Sequence, residues 1–197
     1  MIAPLNPDSN SITFNSTIDL QAIIAFAALV LSIYDLWLHF RKERVRLRIR
    51  QVADSPAYNF GFVWYERYQC AFFRVRIENL SLTPITIAAF ELLCPDGTRL
   101  HASQYDIGDP YNPDGLTLIE RNDSHLGQKF NLKSENALNR MRYDGHDSAD
   151  CYLVFFDVPA IVGKNLKYTL VTHVPHKTYR TKLIATPLPD HLRPQHE

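Results

Sequence analysis

Glycine is scarce in this chain, with seven residues in 197, and cysteine scarcer, with three. Cys70, Cys94 and Cys151 are far apart, odd in number and outside any CxxC spacing. That excludes a disulfide framework and a zinc ribbon, and it fits a reducing compartment. Each reads most simply as a small buried hydrophobe. Net charge is absent too: 21 basic residues balance 21 acidic ones, so no global field selects nucleic acid or an acidic partner. There is no P-loop, GxSxG, HExxH or GxGxxG in the strand–helix setting those motifs need. The first forty residues contain no Lys or Arg.

What is present is apolar and aromatic. Ten Tyr and eleven Phe supply enough large surface for one sizeable core, and disorder over most of the length is not expected. Leu20 to Tyr34 carries no charge. Fifteen helical residues cover roughly 22 Å; extension to Phe40 reaches the length of a bilayer core and takes in Asp35 and His39. Asp35 lies near the end of the run, beside Tyr34 and Trp37, residue types that favour the membrane interface. A soluble amphipathic helix would show a polar face at 3.6-residue spacing, and this run has almost none. A cleavable signal would want a basic start and a small-residue cleavage site, both missing. The pattern predicts a transmembrane helix over 18–40, after a short extracytoplasmic segment over 1–17.

The stretch RKERVRLRIRQV follows at once. Arg41, Lys42 and Arg44, with Arg46, Arg48 and Arg50, all lie on the carboxyl side of the span. Positive flanks stay in the cytoplasm, which predicts an outside amino terminus, a basic stop over 41–44 and the remaining chain inside the cell, at the inner (cytoplasmic) membrane. The cations can also rest on anionic lipid headgroups. Within the helix, Ala28 and Ser32 form a small-xxx-small pair, a candidate for helix association and homo-oligomer formation.

From Val45 the period becomes two. Val45, Leu47 and Ile49 face one way and Arg46, Arg48 and Arg50 the other, a half-buried strand with a basic solvent face. AFFRVRIEN places Phe73, Val75 and Ile77 inward. ITIAAFELLC slips in phase at Ala88-Ala89, as a β-bulge would, and leads through Pro95-Asp96-Gly97 into TRLHAS, a hairpin. CYLVFFDV, 151–158, is continuously apolar and reads as a central strand covered on both faces. LKYTLVTHV and YRTKLI form a last hairpin about Pro175-His176-Lys177. SENALNRMRY, 134–143, is the one candidate helix behind the anchor. The fold class expected is mainly β: an antiparallel sandwich over 45–186 behind one helix, with an extended tail over 187–197.

The order of these segments resembles a known layout. An uncharged span ending in LSIYDLW, a basic stop, FRVRIENLSLTPITI, a Pro-Asp-Gly hairpin, FNLKSENA and a late apolar strand before HKTYRTKL look like uncharacterised bacterial and phage single-span membrane proteins with a cytoplasmic Ig-like β-sandwich. The resemblance covers roughly 20–186 and rests on layout. It implies a fold and a location, and no activity.

Candidate chemistry is thin. Asp106, Asp109, Asn112 and Asp114 in YDIGDPYNPDG suit a cation by type, but the EF-hand spacing fails and a polar turn-rich loop is the simpler reading. His173 and His176 lack further zinc ligands. His146 and Cys151 in DGHDSADC are a conceivable nucleophile pair, but Cys151 opens an apolar strand. Asn15, Asn79 and Asn122 begin glycosylation sequons, but two of the three would be cytoplasmic and a bacterial context voids them all. No catalytic residue, metal or cofactor is therefore expected, and the remaining scattered cations argue against nucleic acid as a partner. The expected function is a non-enzymatic, membrane-anchored binding or adaptor module with a protein partner, touching lipid through its helix. The aromatic stretch Phe60, Phe62, Trp64, Tyr65 and Tyr68 is the candidate partner-binding surface. The alternative is a ligand-gated membrane effector of defence or phage origin, assembling through its helix.

Overall fold

The computed structural model describes residues 20–61, 69–107, 109, 112–123, 127–159 and 165–195, without the side chains of 20 and 41–43. The chain divides into two compact units at Lys42/Glu43, and each is described by itself. The first contains helix α1, Leu20–Glu43. Its window Gln21–Phe40 has a mean hydropathy of 1.9, is long and apolar enough to cross a membrane, and is not buried anywhere. Phe26 and Leu31 are 68% and 63% exposed. In water this surface would be strongly unfavourable, at about 25 cal/mol per Å².

The second unit is built of strands β1 (Leu47–Gln51), β2 (Tyr58–Gly61), β3 (Gln69–Asn79), β4 (Ile85–Thr86), β5 (Ala89–Leu93), β6 (Arg99–His101), β7 (Leu116–Glu120), β8 (Gly127–Phe130), β9 (Arg142–Tyr143), β10 (Ser148–Phe156), β11 (Leu166–Val174), β12 (Lys177–Pro187) and β13 (Leu192–Pro194). Strand β3 is the organiser. One edge carries β1 and β2 end to end, and the other carries β10 from Cys70 to Glu78. The end of β12 pairs in parallel with β2, so the sheet continues through β12, β11, β5 and β6. The continuous sheet thereby gives sandwich-like halves. Side chains sew the fold between them: Gln51 Nε2 donates to Ile184 O and Gln51 Oε1 accepts from Ile184 N, both at 2.8 Å. Tyr179 OH donates to Val45 O at 2.9 Å.

Two cores result. Phe73, Val75 and Ile77 of β3 meet Leu153 and Phe155 of β10 and Tyr168, Leu170 and Leu183 of the other half. The Phe73 and Tyr168 rings stand edge to face at 5.6 Å, the geometry aromatic quadrupoles favour. The opposite face of β3 and β10 presents Phe72, Tyr152, Val154 and Phe156 to a second cluster with Leu118, Phe130 and Leu132. That cluster lies under the small sheet β13-β7-β8.

Most of the strand pattern read from periodicity is present, including both hairpins. Val174 pairs Lys177 across the Pro175-His176 turn, where His176 takes a positive φ of 64°. The phase slip at Ala88-Ala89 falls between β4, which pairs β9, and β5, which pairs β11 and β6; Ala88 N donates at 2.7 Å to the carbonyl of His173, the residue that pairs Ala89, so two residues stand opposite one as in a bulge. Three expectations are corrected. The helix expected over 134–143 is one 3-10 turn, Ala137–Asn139, followed by β9. Its asparagines divert the backbone: Asn136 Oδ1 accepts from Leu138 N at 2.9 Å, and Asn139 Nδ2 donates to Lys133 O at 2.7 Å. Strand β10 is buried on both faces from Cys151 to Phe156, as expected, but it is not central. Its full partner is β3, and among the described residues its other edge meets only bridges from Ser103 and Asn136. The tail is not free beyond 186: β12 runs to Pro187, and β13 returns to β7 because Leu192, 6% exposed, can be buried there.

Asn79, at the end of β3, is 1% exposed. Its Nδ2 donates to Thr83 O, Tyr143 O and Asp144 O, and its Oδ1 accepts from the Ser81 amide and hydroxyl. A sequon asparagine placed this way cannot accept a glycan in the folded chain. Asn79→Ala orphans buried backbone groups and is expected to destabilise the domain by about 1–3 kcal/mol, read by denaturant unfolding of the full chain in detergent.

Candidate functional site

On helix α1, the Tyr34 and Trp37 rings stack at 6.1 Å on one side of the helix end. Asp35 is exposed in the same turn. Ser32 Oγ donates to Ala28 O at 2.9 Å, so its hydroxyl is satisfied within the helix. The Ala28/Ser32 seam is therefore small and self-contained, with no hydrogen bond demanding a second helix. Arg44 is exposed. The Arg41 and Lys42 side chains lie outside the described ones.

The arginines of β1 do face away from the core, but they are not idle. Arg50 Nη2 meets Glu78 Oε1 at 2.6 Å, and Arg48 lies 3.8 Å from the same carboxylate. Arg76 clamps Asp150 with two bonds, at 2.5 and 2.8 Å. Arg74 reaches Glu135 at 3.7 Å and covers the Tyr152 ring. Register explains the ladder: Arg48 stands opposite Glu78, and Arg76 opposite Asp150.

The sequence candidates for chemistry dissolve into structure. Phe60 is 6% exposed and packs against Phe72. It is core and offers nothing to a partner, because its strand position points it under β3. Phe62, Trp64, Tyr65 and Tyr68 lie outside the described residues. Asp109 is 3% exposed, and its carboxylate accepts from Thr117 N at 2.9 Å. Asn112 donates to Leu116 O and Phe130 O. The loop uses these side chains to brace β7 and β8, whereas Asp106 and Asp114 are exposed. No group of three metal-ligating side chains is gathered among the described residues. All three cysteines are buried and unpaired. Burial pushes the Cys151 thiol up to about 12 and the Cys94 thiol up to about 11, the opposite of what a nucleophile needs.

A feature that periodicity did not single out lies on the outer face of β6-β5-β11-β12. Register aligns Arg99, Leu93, Thr169 and Lys182 in one row and His101, Glu91, Val171 and Arg180 in the next. Each row ends in a basic or imidazole side chain at both edges and is largely uncharged between. The rows floor a hollow of about 470 Å³. Within it His173 Nε2 lies 3.2 Å from Glu91 Oε2, a close approach without a hydrogen bond. Alternation in each strand marked these residues as solvent-facing; only their cross-strand register could have shown that they share one face.

No family model matches the chain, and no curated protein matches it. Among solved structures it is similar to the CooA pilin subunit from enterotoxigenic Escherichia coli, at 8% identity. That match covers 73% of this chain and 99% of the pilin, with a TM-score of 0.26.

Two outcomes test this arrangement. Thiol reagents should leave Cys70, Cys94 and Cys151 unmodified in the native chain and modify all three after denaturation, counted by mass spectrometry. Asp150 is held below its ordinary value chiefly by the Arg76 hydrogen bonds, with partial burial opposing. A depressed carboxylate stabilises the fold above its unfolded-state value and ceases to do so as pH falls through the folded one. The pair is partly exposed, so Arg76→Gln should lower stability only slightly at neutral pH. The stabilities of variant and wild type should converge below the carboxylate range in a pH series.

Proposed function

We propose that this chain is a single-pass, membrane-anchored binding module whose cytoplasmic domain is an Ig-like β-sandwich without enzymatic activity. The observation that carries the reading is helix α1, an apolar segment whose side chains are exposed along its length. A lipid phase gives that surface the apolar surroundings it needs. Basic residues on its carboxyl side alone support a cytoplasmic domain, and the stacked Tyr34 and Trp37 suit the interface at that end. The connectivity supports the Ig-like assignment: β1-β3-β10 follows the A-B-E order of one sheet, and β6-β5-β11-β12 the C′-C-F-G order of the other. A non-enzymatic role fits the buried, unreactive position of Cys151, the nucleophile candidate that the sequence offered beside His146. A protein partner is the natural ligand of such a module, with sheet faces and end loops as the available surfaces.

The buried native thiols make topology testable with single introduced cysteines. Alkaline carbonate should leave the full chain in the membrane pellet. An impermeant thiol reagent added to intact cells should label Ser9→Cys and not Asp190→Cys. Extraction by carbonate, or labelling of Asp190→Cys from outside, would remove the anchor or its orientation.

A further inference from the structure

Two sets of the domain's cations contrast; others, among them Arg46, Lys129 and Lys133, are exposed elsewhere on the domain and meet no carboxylate among the described residues. Arg48, Arg50, Arg74, Arg76, Arg140 and Arg142 each meet a carboxylate. Arg99, Arg180, Lys167 and Lys182 are exposed and meet none among the described residues. All four belong to the outer face of β6-β5-β11-β12, where Glu91, 3.2 Å from His173, is the one strand carboxylate. Asp96, in the β5–β6 turn, is engaged by the Thr98 amide and hydroxyl. This face thus gathers four cations that meet no carboxylate among the described residues, against Glu91 on its strands and Asp96 in its turn.

The arrangement of that charge selects the partner. Arg99 and His101 form one rim on β6, and Arg180 and Lys182 the other on β12. Three strand spacings separate the rims, about 14 Å. Between them Leu93, Thr169 and Val171 are half-buried and uncharged. One extended polypeptide fits a trough of this width, because its side chains project alternately to the two sides. Carboxylates projected left and right would meet cations on both rims, and small apolar groups would settle on Leu93 and Val171. A bilayer surface is planar and would leave the floor empty. The face offers no aromatic ring among its described residues for a nucleic-acid base to stack on. We infer that this face docks an extended acidic segment of a partner polypeptide, an inference that rests on the binding-module reading above.

The test uses the full-length chain in detergent micelles and a short fluorescein-labelled peptide of alternating Asp and Val, followed by anisotropy. A peptide of alternating Asn and Val is the neutral control. The acidic peptide should bind and the neutral one should not. Binding should weaken about tenfold when salt rises from about 50 mM to about 500 mM, and by a similar factor in the double variant Arg99→Gln/Arg180→Gln. Thr178→Glu, which sets a carboxylate in the hollow while leaving both arginines, should weaken it as well. Arg48→Gln/Arg76→Gln, on the paired face, should not. Circular dichroism should be unchanged in each variant, since the substituted side chains are exposed.

Equal binding of the two peptides, no binding of the acidic one, or insensitivity to both Arg99→Gln/Arg180→Gln and Thr178→Glu would overturn the inference. So would tighter binding of oligodeoxythymidine, or of monomeric short-chain phosphatidylserine, to this face. The anchor reading fails separately. A chain retained by carbonate-washed membranes that ignores the peptide loses only the docking face, and a chain released by carbonate that binds the peptide loses only the anchor.

Discussion

Burial of strand β3 on both faces is the constraint from which the remainder of the β unit follows. Eleven residues long, it holds β10 along one edge and β1 and β2 along the other. Phe73, Val75 and Ile77 enter one core, and Cys70 and Phe72 enter the other. A strand in this position cannot shift by one residue, because the shift would exchange the contents of two cores and carry arginines inward. Asn79 closes its end by tying the β3–β4 connection to the backbone beside β9. The arginine–carboxylate ladder on its open stretch is a consequence of that register rather than a cause of the fold, since exposed pairs contribute little each.

The two sheet halves treat charge differently, and this gives the domain a direction. Beside β3 four arginines meet three carboxylates, Arg48 and Arg50 sharing Glu78, Arg74 reaching Glu135 and Arg76 holding Asp150. Across β6-β5-β11-β12 they stand at the rims of a trough, with Glu91 turned to His173. Neutral net charge conceals this asymmetry, because composition averages over faces that never see one another. An anchored module with such a cation-rimmed face would present it to partners at raised local concentration.

Helix α1, the alternating strands and the two hairpins were all legible in the order of residues. Each depends on a period of two or 3.6 or on turn chemistry at Pro95-Asp96-Gly97 and Pro175-His176, and those are properties of neighbours in the chain. The solvent orientation of Arg46, Arg48 and Arg50 followed from the same alternation. The slip at Ala88 was visible as a loss of phase, though not the change of partner strand that accompanies it, since a bulge alone leaves the same local trace.

Tertiary structure decided the rest. Phe60 became core and not contact surface because β2 lies along β3, and periodicity cannot say which strand a segment will join. Leu192 made a strand of an apparent tail because β7 offered an edge and a half-covered apolar cluster. Arg99 and Arg180 came to share one trough although 81 positions apart in the chain, through the pairing of β6 with β5, β5 with β11 and β11 with β12. Local sequence specifies what a segment can form and which of its faces is apolar. Which charges meet and which stay unmatched depends on long-range register, which packing of the whole chain settles.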